Sequence, residues 1–346
     1  MGEILGIGAT HYPPGLVPDE YKPWPLARML DTDPRIPPRM KDPANWPAPM
    51  QAEWGTDEGV AAHRAHRERV FRAFRTIREE IDAFQPDVVL IWGDDQYENF
   101  KETIISPFCV LAYDTLTFQP FQRLRGRPNI WGEPADKVFT APGHHAAGRF
   151  LASGLLEAGF DMAYAYRPLH GDGVAHAFAN TLLFLDLDRQ GWTYPVLPVT
   201  VNCYGRDVIR NRGGASQYSD EPDPPAPSPQ RCFDVGQATA RILKDSPWRV
   251  VLMASSSWSH AFLTGKNHWL YPDLEADRVL LEQLRAGEFR AWRDLSLARM
   301  EAAGQHEVLN WVCLAGAVAE LGYKMHLLDW VETWLFNAPK CLAVFR

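Results

Sequence analysis

The sequence predicts an α/β fold with a central mixed, mostly parallel sheet flanked by helices, and with a helical carboxyl-terminal region. Three observations predict it. Apolar runs at 3–9, 87–93, 107–113, 195–202 and 249–254 have the length of buried strands. Between several of them apolar residues recur at helical spacing. Histidines and acids stand just after the runs, where open α/β sheets build their ligand sites.

Taken in order, the run 3–9 stops at Thr10-His11-Tyr12-Pro13-Pro14, so a buried strand ends at a histidine. Residues 12–57 are rich in Pro and Trp, show no periodicity and predict a long surface excursion. Val60, Val70, Phe71, Phe74, Ile77, Ile81 and Phe84 mark a helix over 58–84. The strand 87–93 runs into the acidic turn Gly93-Asp94-Asp95-Gln96. After the strand 107–113 a second Trp- and Pro-rich excursion covers about 115–142. Gly143-His144-His145 opens a helix through Ala158, and 161–165 is strand-like. Leu169-His170-Gly171-Asp172 leads by way of His176 into an apolar helical stretch, 177–186. Residues 219–230 (SDEPDPPAPSPQ) predict an exposed loop, with a helix at 231–244 after Ser228-Pro229. Residues 273–346 are expected to be mainly helical, with 285–340 a helical tail and a last strand near 341–345. Without an internal repeat or a clean linker, 1–346 is expected to form a single domain.

The bulk numbers exclude several classes. Apolar residues make up 46% of the 346 and charged residues 23%, an ordinary globular balance. The net charge is −8 with Lys and Arg scattered, which argues against nucleic-acid binding. The basic residues from Arg64 to Arg78 alternate with apolar ones and fit a solvated helix face. Cys109, Cys203, Cys232, Cys313 and Cys341 are odd in number and lack CxxC spacing, so free buried thiols are expected. No apolar run reaches the roughly 18 residues of a membrane span, and a soluble, cytoplasmic protein is expected. The 13 Trp and 28 Pro concentrate in the excursions, where the rings either wall a pocket for a flat ligand or pin loops to the core.

The chemistry collects at one presumed sheet edge. His11, Asp94, Asp95, Gln96 and His260 follow strands, and His144, His170 and His176 begin or precede helices. No GxGxxG follows a strand, no GxxxxGK[ST] or HExxH occurs, and Ser255–Ser259 lacks the glycine framing of a nucleophile elbow. Histidines with carboxylates and no thiolate cluster suit a divalent ion such as Fe(II), Mn(II) or Zn(II). Asp94, Asp95, Asp273, Glu275 and Asp277 are the carboxylate candidates, each also readable as a turn or helix-start acid.

Taken together, the stretches GIGATHYPP (6–14), PDVVLIWGDDQYENF (86–100), GHHAAGRFLASGLLEAGFDMAYAY (143–166), LHGDGVAHAF (169–178), YPVLPVTVNCYG (194–205), WSHAFLTG (258–265), PDLEADRVLLEQL (272–284) and GQHEVLNWVCLAGAV (304–318) resemble a known family. It is that of the class III extradiol ring-cleavage dioxygenases, typified by the catalytic β subunit of protocatechuate 4,5-dioxygenase. The resemblance implies a metal held by His11 and Glu275, with His144 contacting substrate or dioxygen and His260 supporting the site. Asp94 stands beside it. Two positions depart from the family. Gln96 stands where the second histidine ligand belongs, so it, Asp94 or Asp95, or His63 or His66 from the helix before that strand, would have to serve. Asp172 stands where the family's acid/base histidine belongs, with His170 and His176 on either side to replace it.

The activity implied is metal-dependent cleavage of a catechol-like or 2-aminophenol-like ring with O2. Fe(II) is the first cofactor candidate and Mn(II) or Zn(II) the alternatives. The departures at Gln96 and Asp172 keep a second reading open: the same pocket turned to hydrolysis, decarboxylation or non-oxidative C–C cleavage of an aromatic acid, with or without a metal. A non-catalytic binding protein on the same fold is the third. Arg149, Arg167, Arg206, Arg210 and Arg212 are candidates for holding a substrate carboxylate. The helical tail suggests a homodimer rather than an assembly with a separate small subunit.

Overall fold

The apolar runs are strands covered on both faces, which is why they show no polar alternation. The computed structural model describes residues 2–21, 24–170, 173–206 and 223–346. In chain order the elements are β1 (Ile4–Ala9), α1 (Trp24–Thr32), α2 (Ala48–Trp54), α3 (Val60–Phe84), β2 (Val88–Asp94), β3 (Phe108–Leu111), β4 (Thr115–Phe118), β5 (Phe139–Pro142), α4 (His145–Glu157), β6 (Ala163–Ala165), α5 (His176–Leu185), β7 (Val196–Val201), α6 (Pro229–Lys244), β8 (Val250–Ser255), α7 (Leu274–Arg285), α8 (Leu297–Ala302), α9 (Val308–Leu321), β9 (Met325–Val331) and β10 (Lys340–Phe345).

Eight strands form one sheet in the order β6-β3-β7-β2-β8-β1-β10-β9. The central strands β7, β2, β8 and β1 run parallel, while β3 pairs antiparallel with β7 and β10 antiparallel with β1. The fold is therefore the mixed, mostly parallel α/β sheet that the sequence predicts. One face carries α4, α6 and α9 over a core that includes Trp258, Trp292 and Trp311. The other carries α3 and α5 over Phe74, Ile77, Phe178 and Phe184. Among the described residues no helix is long and apolar enough to cross a membrane.

Close packing fixes α9, which matters for the site. A Cβ at Gly236 would meet the Cys313 carbonyl at 1.8 Å, and one at Gly316 would meet the Phe233 carbonyl at 2.0 Å. Only glycine lets α6 and α9 approach so nearly. On the sheet side Trp311 fills the space above Gly8 of β1 and donates its indole N–H to the Ser256 carbonyl at 3.0 Å.

Three expectations need correction. The excursion 12–57 is not structureless: α1, α2 and short 3-10 turns gather a small core of Tyr12, Leu26, Met40, Trp46, Met50 and Phe336. Trp46 and Trp54 meet edge to face within it at 5.3 Å, so these rings pin the segment. The excursion 115–142 contains a two-stranded ladder, β4 with β5. The carboxyl-terminal helices end at Leu321, and β9 occupies part of the stretch expected to be helical. That strand lies at the sheet edge and is only partly buried, so its apolar pattern carries no clean strand signal. The thiols are free and buried. Of the loop 219–230, residues 219–222 lie outside the described residues, and Ser228 caps α6 by accepting the Arg231 N–H at 3.1 Å.

Candidate metal centre

Strand order brings the polar ends together. Because β8 lies between β1 and β2, its carboxyl end Ser255 separates His11, after β1, from Asp94, the last residue of β2. Three buried serines, Ser255–Ser257, stand at this strand end. Two helices open beside it: α5 with His176, and α9 with Glu307 in the capping position. Ser256 Oγ donates to the Glu307 carbonyl at 2.8 Å and ties that helix start to the strand end.

His11 Nε2 lies 3.7 Å from Asp94 Oδ1 and 3.7 Å from Glu307 Oε2. Its Nδ1 faces the Ser255 carbonyl at 2.9 Å, which can only accept, so Nδ1 carries the hydrogen and Nε2 the lone pair. The His176 ring meets His11 edge to face at 4.9 Å. His176 Nδ1 sits 2.9 and 3.0 Å from the two Glu98 carboxylate oxygens, which leaves its Nε2 bare as well. Ligand atoms of His11, Asp94 and His176 all lie within 4.8 Å of one another.

Asp94 Oδ1 and Glu307 Oε2 are buried without a hydrogen-bond partner, and they are the two oxygens that face His11 Nε2. Acceptors thus converge with no donor among them, an arrangement that costs several kcal/mol unless a cation or protons enter. The outer oxygens are held from behind. Gln96 Nε2 lies 3.0 Å from Asp94 Oδ2, 2.8 Å from the Tyr204 hydroxyl and 3.2 Å from Glu307 Oε1, and the Tyr204 hydroxyl donates to Glu307 Oε1. His260 Nε2 stands 3.4 Å from Glu307 Oε1, with Nδ1 on the Trp258 carbonyl at 2.8 Å.

Burial sets the protonation states. It lowers His11 to about 4 against the opposing pull of Asp94, and it lowers His176 to about 4 with Arg123 contributing. His260 is lowered to about 3 by burial. These imidazoles are neutral at pH 7, the form that binds metals. Burial, with Asp94 next, pushes the Glu307 carboxyl well above the ordinary carboxylate range. The residues present therefore fit a divalent cation with two imidazoles and two carboxylates.

The structure gathers some of the sequence candidates and scatters others. His11, Asp94, Gln96, His176 and His260 come together. Asp94 faces the cluster directly instead of standing behind it. Gln96 lies within the cluster, with its amide Nε2 donating to both carboxylates. Asp95 is pushed up to about 6 by burial, and its oxygens accept the Glu98, Asn99 and Phe100 N–H groups at 2.8, 2.9 and 3.3 Å, so it builds the turn. Glu275 is exposed in the first turn of α7 and does not join the cluster, which takes Glu307 instead. His144 lies at the opposite end of the sheet: its ring packs on Trp248, just before β8, and accepts the Ala147 N–H. His170 reaches Thr103 Oγ1 at 3.1 Å near the surface. Asp172, Arg210 and Arg212 lie outside the described residues. His63, one of the substitute ligand candidates, pairs instead with Asp19 at 2.8 Å.

Sequence reasoning missed Glu307, Glu98, Tyr204 and Arg123. Glu307 alone carries a signal, an acid closing the polar group 305–307 just before the apolar helix 308–318.

Residues 223–334 match the family model of the catalytic LigB subunit of aromatic ring-opening dioxygenase. The chain is 29% identical over 195 residues to a 2,3-dihydroxyphenylpropionate/2,3-dihydroxicinnamic acid 1,2-dioxygenase 2 of Pseudomonas putida, covering 56% of this chain and 49% of the relative. It thus spans about half the length of that protein. It is 25% identical over 313 residues to a 2,3-dihydroxyphenylpropionate/2,3-dihydroxicinnamic acid 1,2-dioxygenase of Cupriavidus necator, covering 77% and 88% of the two chains. A solved structure, the uncharacterized protein JW3007 from Escherichia coli K12, aligns with a TM-score of 0.48 at 11% identity, covering 80% of this chain and 91% of that one. The matched stretch, residues 223–334, is similar to the LigB domain of the class III extradiol dioxygenase family. Over most of its length the chain is homologous, at low identity, to the 2,3-dihydroxyphenylpropionate 1,2-dioxygenases.

Proposed function

We propose that this chain is a metal-dependent extradiol-type dioxygenase that opens a catechol-like or 2-aminophenol-like ring with O2. The observation that carries the reading is the pair of unpartnered carboxylate oxygens, Asp94 Oδ1 and Glu307 Oε2, aimed at the bare Nε2 of His11. The dihydroxyphenylpropionate dioxygenase activities of the relatives support the substrate class.

His11, Asp94, His176 and Glu307 would hold the ion, Fe(II) first, with Mn(II) and Zn(II) as alternatives. Bound there, it supplies Lewis-acid and redox chemistry to an aromatic substrate and O2. Every other role belongs to the chain. His11 and His176 stay neutral at pH 7 and offer lone pairs. Gln96 and Tyr204 hold the outer carboxylate oxygens so that the inner ones stay aimed. The buried wall of Thr10, Ser255, Ser256 and Trp258 excludes water from the sheet side. His260, with Nε2 beside Glu307 Oε1, supports that carboxylate from behind.

Oxygen uptake with a panel of catechols and 2-aminophenols tests the reading. One O2 consumed per ring opened, abolished by a chelator and restored by Fe(II), is the expected outcome. Turnover that continues without oxygen would favour the second reading, a non-oxidative reaction on an aromatic acid. Gln96, which donates to the cluster where the family resemblance expects a histidine ligand, is the observation behind that reading.

A further inference from the structure

We infer that Glu98 is the positioning residue of this centre, acting through His176, and that Arg123 holds Glu98 in place; the inference rests on the metal reading above. The other candidate ligands are set by the sheet and its closest helix. His11 follows β1 and Asp94 ends β2, the strands on either side of β8, and Glu307 is tied to Ser256 at the start of the tightly packed α9. His176 has no such support. It opens α5, and Ala175 in the capping position makes no side-chain hydrogen bond to the helix.

Glu98 supplies what is missing. Both of its oxygens reach His176 Nδ1, at 2.9 and 3.0 Å, and Oε2 also accepts the His176 backbone N–H at 2.9 Å. Ring direction and helix start are thus fixed by one carboxylate. The two side chains are nearly buried, at 12% and 10% exposure, so solvent offers the imidazole little alternative. A carboxylate on Nδ1–H also raises the basicity of the opposite nitrogen, the one turned toward the cluster.

The carboxylate is itself built in. The Glu98 N–H donates to Asp95 Oδ1 at 2.8 Å within the turn that follows β2. From the other side the guanidinium of Arg123, on the 3-10 segment Pro120–Leu124, lies against Glu98 Oε1. Charges then balance in pairs: Arg123 with Glu98, and a divalent ion with Asp94 and Glu307. The turn that carries Gln96 where the resemblance expects an imidazole supplies instead the group that holds an imidazole from another element.

A merely structural role, capping α5, predicts something different, so the test must read the metal and the fold separately. The full-length chain, stripped of metal under anaerobic conditions, is titrated with Co(II) and followed by its visible absorption and by calorimetry. Glu98→Gln is expected to weaken Co(II) binding about tenfold or more, with altered absorption bands. His176→Ala is expected to weaken it at least as much, and the double variant no more than His176→Ala alone. Thermal unfolding of the metal-free proteins reports the fold. If Glu98→Gln does not fold, Arg123→Gln is read instead, with a smaller loss of affinity expected in the same absorption bands. Wild-type protein that binds Co(II) beside a folded Glu98→Gln of equal affinity, or a folded Arg123→Gln of equal affinity where the first variant fails, overturns the inference alone. Wild-type protein that binds no Co(II) overturns the metal reading and the inference with it.

Discussion

His144 and His176 look alike in the sequence, each near the start of a helix in an α/β chain, yet they sit at opposite ends of the sheet. His144 packs on Trp248, just before β8, and its ring does no more than accept the Ala147 N–H at the start of α4. His176 meets His11 at the carboxyl ends of the same strands. Seven residues of β2 separate the two ends, about 20 Å of extended chain. The difference teaches that in a sheet of this kind strand polarity decides what a helix-opening histidine can do. At the amino ends it caps; at the carboxyl ends it joins a cluster of acceptors that lacks a donor.

The sharpest break of that comparison comes from removing a group that a strand or α9 delivers. His11→Ala or Glu307→Ala is expected to lower divalent-metal affinity by more than about 100-fold, measured by titration of the stripped protein. Next comes the histidine pair itself. His176→Ala should cost roughly 10- to 100-fold in metal affinity. His144→Ala should leave metal affinity unchanged and cost about 1 kcal/mol of stability in denaturant unfolding, the loss of a helix cap. Equal metal affinity in both variants would erase the contrast between the two ends.

Another buried acid, Asp277, gives a pH signature. Burial raises the Asp277 carboxyl from its ordinary 3.8 to about 7, although Ser259 and Gln305 donate to it. A raised carboxyl keeps its proton in the folded chain while the unfolded chain releases it. The unfolded state then binds fewer protons between about pH 4 and 7, and stability falls as pH rises through that window. Thermal unfolding midpoints should decline over it in the wild type and decline less steeply in Asp277→Asn. The smallest effect is expected at Glu275, exposed on α7: Glu275→Ala should stay within about 0.5 kcal/mol in stability and leave metal affinity unchanged.

The central strands were legible because burial on both faces leaves a run of apolar residues with a polar residue at its end. His11, Asp94 and His260 could be found for the same reason, since they follow such runs. Glu275 and Glu307 show why the rest could not. Each is an acid at the start of an amphipathic or apolar helix, and the bland explanation, a favourable charge at a helix start, applies to both. Only the approach of α9 to β1 over Gly8, and to α6 through Gly236 and Gly316, puts one of them beside His11. Glu98 and Tyr204 come from a turn and a loop, where spacing carries no face and hence no signal. The partly buried edge strand β9 and the short helices α1 and α2 escaped because neither period survives over so few buried positions.

The central claim is that one divalent ion sits at the carboxyl ends of β1 and β2. A crystal structure of the Mn(II)- or Fe(II)-loaded protein, with anomalous scattering recorded at the metal edge, tests it most directly. The account predicts a single strong peak between His11 Nε2, Asp94 Oδ1, Glu307 Oε2 and the His176 ring. A peak at Glu275 or beside His144, or none in fully loaded crystals, would contradict it.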